Sequence, residues 1–159
     1  MMPAPLLVLI VDDVQVNLNL ASYLLTGAGF NVITTQSPAH ALDLISRCTP
    51  DLVLVDQHMP QMRGSELIAI MLAGATTPES VLLFSATMTD EAQGEVISRL
   101  GIGRVSKGVT PQRFLTDVVD ALQRAGCQVP DQAIALATAV VRAAPTGIEL
   151  GRLSEYVTS

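Results

Sequence analysis

Basic residues are scarce. Nine Lys and Arg stand against fifteen Asp and Glu in 159 residues, and the resulting net charge of −6 argues against a nucleic-acid surface on this chain. Cysteine is scarcer still: Cys48 and Cys127 fall on different expected elements, in no metal-ligand spacing and in no redox pair. Two unpaired thiols without a disulfide framework fit a reducing compartment. The opening Met1-Met2-Pro3-Ala4-Pro5 has no positive stretch, and the apolar run after it is far too short to span a bilayer. These absences predict a cytoplasmic chain with no membrane contact. Internal repeats, low-complexity tracts and Gly-rich phosphate loops are also missing. What is present is 49% apolar and 15% charged residues, enough for one globular domain of ordinary size with a real core.

Apolar runs alternate with segments of helical period, the pattern of successive parallel βαβ units. Leu6 to Val11 is apolar throughout, as expected of a central strand covered on both faces. Residues 15–27 place Leu18, Ala21, Leu25 and Ala28 on one helical face, with Gly27 and Gly29 near the stop. A second strand runs from Phe30 to Thr35, and Ser37-Pro38 opens a helix whose inner face is Ala41, Leu42 and Ile45. The third strand, in the run from Asp51, ends at Asp56 and is followed by a loop through Gly64 and a helix near 65–73. The fourth is 80–85, with a helix opening at Thr89-Asp90-Glu91. The fifth is about 102–106, and a helix follows from Thr110-Pro111 to Ala125.

Polar residues close these runs. Asp12-Asp13 ends the first, Asp56 the third and Ser85 the fourth, and Lys107 follows the fifth. Carboxyl ends of neighbouring parallel strands converge on one edge, where open α/β sheets bind ligands. Three carboxylates, a hydroxyl and an ammonium there would suit a divalent cation and a phosphoryl group. Taken singly, each residue has an ordinary role: Asp after a strand is usually a turn former or cap, Ser a cap, and Lys a solvated charge. Those readings would have to hold at all five positions together. His58 reads as a loop residue, Met59 and Met62 as packing residues, and His40 as a helix-surface residue.

Val11-Asp12-Asp13, Asp51-Leu52-Val53-Leu54-Val55-Asp56 with Met59-Pro60 and Gly64, Ser85-Ala86 and Lys107 together resemble the receiver domain of two-component response regulators, over about residues 5–125. The resemblance implies a flavodoxin-like, doubly wound, five-stranded parallel sheet in the order 2-1-3-4-5, with the acidic strand ends as neighbours. It implies Mg2+ as cofactor, bound by Asp13, Asp56 and the His58 backbone carbonyl directly and by Asp12 through water. Asp56 would take a phosphoryl group from a phosphohistidine on a histidine kinase or phosphotransfer protein. Lys107 would stabilise the moving charge and Ser85 would hydrogen-bond the phosphoryl oxygen once it arrives. The face built from the helix after the fourth strand, the fifth strand and the helix following it would then shift, to be read by a downstream protein. Thr87 and His58 flank the site and would set the lifetime of the phosphorylated state.

Two positions depart from the family pattern. Gly108 replaces the proline that usually follows the lysine through a cis bond, and Arg104 stands where a switch aromatic is common. They keep open a degenerate receiver that acts as a protein-interaction module without phosphate. An aspartyl-phosphate phosphatase is the third reading, but His58 occupies the place where that chemistry commonly wants a second acid. Beyond a receiver domain at 1–125, residues 126–159 form an expected helical extension. Asp131 is placed to cap a helix through Ala144, and Leu150 to Val157 has the pattern of one more. The near-apolar helix 131–144 must be buried, either on the receiver's own surface or against a second subunit. Leu115 and Val119, broadening the stripe of the preceding helix, favour a homodimer.

Overall fold

Five short apolar runs pair in parallel to form the centre of the molecule. The structure is a computed structural model that describes residues 5–74, 80–85, 103–106 and 110–138. Strands β1 (Leu7–Val11), β2 (Asn31–Thr35), β3 (Leu52–Asp56), β4 (Ser80–Ser85) and β5 (Gly103–Ser106) make one sheet in the order β2-β1-β3-β4-β5. The expected fold class and strand order are both found. Helices α1 (Gln15–Gly27), α2 (Pro38–Cys48), α3 (Gly64–Ala73), α4 (Pro111–Arg124) and α5 (Asp131–Thr138) complete the described elements. The helix expected to open at Thr89 lies outside the described residues.

Alternation along the strands sorts the core onto two faces. Val8, Ile10, Leu52, Leu54, Leu82, Phe84 and Val105 turn toward α1 and α4, where they meet Leu18, Leu25, Phe114 and Val118. Phe84 and Phe114 pack with ring centroids 5.7 Å apart. Leu9, Val11, Val53, Val55, Val81 and Leu83 turn the other way, toward Ala41 and Ile45 of α2 and Leu67, Ile68 and Met71 of α3. Both faces of the sheet are therefore covered, which is why the strands read as continuous apolar runs.

Local chemistry sets the helix starts. Ser37 Oγ accepts the His40 N–H at 3.2 Å and Thr110 Oγ1 accepts the Arg113 N–H at 3.2 Å, each with proline as the first helical residue. The C-cap of α2 carries no such signature in the sequence: Thr49 turns left-handed at φ 45°, an uncommon state for a non-glycine residue, immediately before Pro50.

The extension does not stand apart from the sheet domain. Ala133 and Ala137 of α5 are buried in the same cluster as Leu115 and Val119 of α4. Gln112 Nε2 and Thr116 Oγ1 donate to the Ala137 carbonyl at 3.1 and 3.2 Å, and Gln132 Nε2 donates to the Gly27 carbonyl at 2.7 Å. Of the two placements open to the tail, residues 131–138 take the first, against the same chain. The broadened stripe of α4 is what they cover. Asp131 lies within the first turn rather than capping it, because the Pro130 carbonyl receives the Ala133 and Ile134 N–H groups. Residues 139–144 and the pattern at 150–157 lie outside the described residues.

Docking of α5 predicts a contrast between two alanines one turn-face apart. Ala133 is fully buried and Ala135 is exposed. Ala133→Leu should cost about 1–3 kcal/mol through overpacking, and Ala135→Leu less than about 0.5 kcal/mol. Urea unfolding midpoints that coincide for the two variants would contradict the docking.

Candidate functional site

Register brings the acids together. Val11 pairs with Val55 across β1 and β3, so the next residues, Asp12 and Asp56, leave the sheet side by side at its carboxyl edge. One carboxylate oxygen from each of Asp12, Asp13 and Asp56 lies within 4.8 Å of the others. Asp12 and Asp56 are buried and Asp13 is half-buried.

The backbone around the trio is braced from three sides. Asp12 N–H donates to the Thr35 carbonyl at 3.2 Å, and Gln36 Nε2 donates to the Asp13 carbonyl at 3.0 Å, so the end of β2 holds the acidic pair. Asp12 itself accepts the Val14 N–H at 2.9 Å on Oδ1 and the Asn17 side-chain amide at 3.1 Å on Oδ2. On the β3 side, Gln57 N–H donates to the Phe84 carbonyl at 3.2 Å, and the Gln57 carbonyl accepts the Gly64 N–H at 3.0 Å. The fully buried Gln57 side chain accepts the Ser65 N–H at 2.8 Å and donates to Ser65 Oγ at 3.3 Å. That closes the loop between Asp56 and α3. Within it, His58 is exposed and its N–H donates to Asp56 Oδ1 at 3.4 Å. Met59 packs in the core as expected, with Met62 against it.

Asp13 Oδ1 tests whether a cation belongs here. It is a buried oxygen with no hydrogen-bond partner, on a residue whose carboxylate comes within 4.8 Å of two others. A buried carboxylate oxygen left without a donor is costly. Hard oxygen donors without sulfur or imidazole nitrogen match magnesium rather than zinc. The residues present therefore fit the expected ion.

Asp12, Asp13 and Asp56 are thus brought together, and His58 meets Asp56 through its backbone N–H. Ser85 ends β4 at the same edge, one residue beyond the Asp56–Phe84 pair, and Arg104 lies within β5; their backbones are placed, not their side chains. Lys107, Gly108 and Thr87 lie outside the described residues. His40 is exposed, as expected, yet its Nδ1 also sits 3.1 Å from Thr35 Oγ1. Asn17, Gln36 and Gln57 went unnoticed in the sequence, and only Asn17 left a trace there, as an amide in the first turn after the acids.

A family model for the response regulator receiver domain matches residues 8–119. The chain belongs to that family. Among curated proteins it is 38% identical over 60 residues to the polar-differentiation response regulator DivK of Brucella ovis, covering 38% of this chain and 49% of that one. It is 34% identical over 85 residues to a protein-glutamate methylesterase/protein-glutamine glutaminase of Halobacterium salinarum, covering 53% of this chain and 24% of that protein. The match spans half or less of these relatives. Among solved structures, the signal receiver domain of an HD domain-containing protein from Pseudomonas fluorescens Pf-5 superposes with a TM-score of 0.69 at 25% identity, over 79% of this chain and 93% of that one. Receiver domains are signalling modules that bind Mg2+ at an acidic pocket and work with histidine kinases or phosphotransfer proteins and downstream targets. Among the described residues no helix is long and apolar enough to cross a membrane.

Gly64 reports on how tightly the loop is drawn. A Cβ there would strike the carbonyl oxygen of Asp56 and crowd the backbone of Gln57. Gly64→Ala should lower stability by about 1–3 kcal/mol, measured as a shift in urea midpoint at constant slope. A midpoint equal to the wild type would show that the loop is not held against Asp56.

Proposed function

We propose that the chain is a phosphoacceptor module in which Asp56 takes a phosphoryl group from a phosphohistidine donor, a histidine kinase or histidine phosphotransfer protein, in the cytoplasm. The carrying observation is the trio Asp12, Asp13 and Asp56, two of them buried and one half-buried, with one carboxylate oxygen of each within 4.8 Å of the others. Asp13, Asp56 and the His58 backbone carbonyl would hold magnesium, with Asp12 acting through water, and the bound ion would supply positive charge beside the phosphoryl oxygens.

A carboxylate oxygen of Asp56 attacks phosphorus as the P–N bond to the donor imidazole breaks. The bonding pair returns to the ring nitrogen, and an acyl phosphate forms on Asp56. Lys107 balances charge on the transferring group, and Ser85 donates a hydrogen bond to a phosphoryl oxygen afterwards. Burial of Asp56 keeps bulk water from the new acyl phosphate, so the modified state persists long enough for a protein partner to read it. Catalysis is confined to the protein's own phosphorylation and dephosphorylation. The methylesterase activity in the name of the Halobacterium protein is not carried over, since this chain matches 24% of its length.

Incubation with magnesium and a small acyl phosphate should add one phosphoryl group by intact mass to the wild type and none to Asp56→Asn. Equal incorporation in the two proteins would place the acceptor elsewhere and end this reading.

His58 stands exposed beside Asp56, where its side chain would help or hinder an attacking water. His58→Ala should change the rate of self-dephosphorylation more than the extent of phosphorylation. Decay curves that superimpose after removal of the donor would show that this side chain has no part in the lifetime.

A further inference from the structure

Asp12 and Asp13 are adjacent acids at one strand end, yet the protein treats them differently. Both oxygens of Asp12 already accept protein donors, the Val14 N–H on Oδ1 at 2.9 Å and the Asn17 amide on Oδ2 at 3.1 Å. Asp13 Oδ1 is buried and accepts nothing. We infer that Asn17 is a positioning residue for the cation site: its amide holds the Asp12 carboxylate back from direct coordination and so limits the number of protein oxygens that reach the ion. The inference rests on the metal-dependent phosphoacceptor reading above.

Place and chemistry both support this role. Asn17 sits in the first turn of α1, where its own N–H donates to the Val14 carbonyl at 3.1 Å, so its backbone is fixed while its side chain reaches back five residues to Asp12. Val14, the N-cap, supplies no side-chain cap, and the start of α1 is instead tied down through Asp12. The donor type matters as well. An amide orients a carboxylate without neutralising it, whereas Lys or Arg would form an ion pair and compete with a cation, and Asp would add a fourth negative charge. Asn17 therefore leaves the full charge of Asp12 facing the site while restricting its movement.

Ligand number decides between the common divalent ions. Magnesium keeps several waters and takes few carboxylates, while calcium accepts six to eight oxygens in a looser shell. A restrained Asp12 keeps the protein's direct contribution small, which favours magnesium. Released, Asp12 can swing in as an additional ligand, which penalises the larger ion less than magnesium.

Calorimetric titration of the full chain with magnesium and with calcium tests this in the wild type, Asn17→Ala, Asp12→Ala and the double variant. Alanine is the better helix former, so Asn17→Ala retains α1, and circular dichroism checks that it does. Asn17→Ala should weaken magnesium binding about tenfold, the usual consequence of removing a group that orients a ligand, and weaken calcium binding less. In the Asp12→Ala background the same substitution should change neither constant, because Asn17 acts only through Asp12. Unchanged magnesium affinity in Asn17→Ala, a parallel loss for both ions, or an equal loss without Asp12 would each overturn the inference. A wild type that binds neither ion would overturn the metal-dependent reading itself, and this inference with it.

Discussion

Everything at the carboxyl edge follows from the parallel register of β1 against β3, because that pairing forces like charges together. At 4.8 Å and an effective dielectric near 20, two ionised carboxylates repel by roughly 3 kcal/mol. Three such pairs would consume much of the roughly 5–15 kcal/mol that holds a whole domain folded. The cluster is tolerable only because donors converge on it from several directions. The Val14 N–H and the Asn17 amide serve Asp12, and the His58 N–H serves Asp56. The amino end of α1, beginning two residues after Asp13, adds about 0.3–1 kcal/mol of favourable dipole interaction. What remains uncompensated is the buried oxygen of Asp13, and a divalent ion is the group whose charge and hardness answer it.

Register of this kind has to be enforced, since a slip of one residue would turn every strand side chain to the wrong face. The two-sided core does the enforcing: Val8 and Ile10 belong to the α1–α4 side, Leu9 and Val11 to the α2–α3 side. Both sets are apolar, so burial alone would not distinguish them. The fixed points are polar and lie at the opposite end of β1. Asp51 Oδ2 accepts the Leu7 N–H and Asp51 N–H donates to the Leu7 carbonyl, both at 2.8 Å, locking β1 to the start of β3. One aspartate at the base thus fixes the alignment that two others need at the top.

Much of this was legible in the chain itself, for a definite reason. Fully apolar runs such as Leu6 to Val11 and Leu52 to Val55, alternating with helix-period segments, fit parallel strands covered on both sides, and acids closing such strands gather at one edge. Caps at Ser37 and Thr110 were readable because their partners lie three residues away. Other features depend on angles between elements, which sequence spacing does not carry. Whether Asn17 meets Asp12 is decided by how α1 leaves the loop, and Gln57 is indistinguishable from a surface glutamine until the loop closes over Ser65. Thr49 gave no sign of a left-handed backbone. The stripe of Leu115 and Val119 announced burial and favoured a second subunit, whereas the alanine face of α5 in the same chain packs with it.

Docking of α5 on α4 constrains how a change at the acidic edge can be expressed. Under the proposed function, the flank carrying β5 and the following helix would respond to the phosphoryl group. Here that helix, α4, is bound along one side to α5. Sliding α4 alone would expose Leu115, Val119, Ala133 and Ala137 and break two hydrogen bonds to the Ala137 carbonyl. Each large buried aliphatic side chain contributes about 1.5–3 kcal/mol, so separating the helices costs more than a single new phosphoryl hydrogen bond of about 1.5–3 kcal/mol returns. A displacement of α4 would therefore carry α5 with it. Gln132, bonded to the end of α1 at Gly27, links α5 to the helix that carries Asn17.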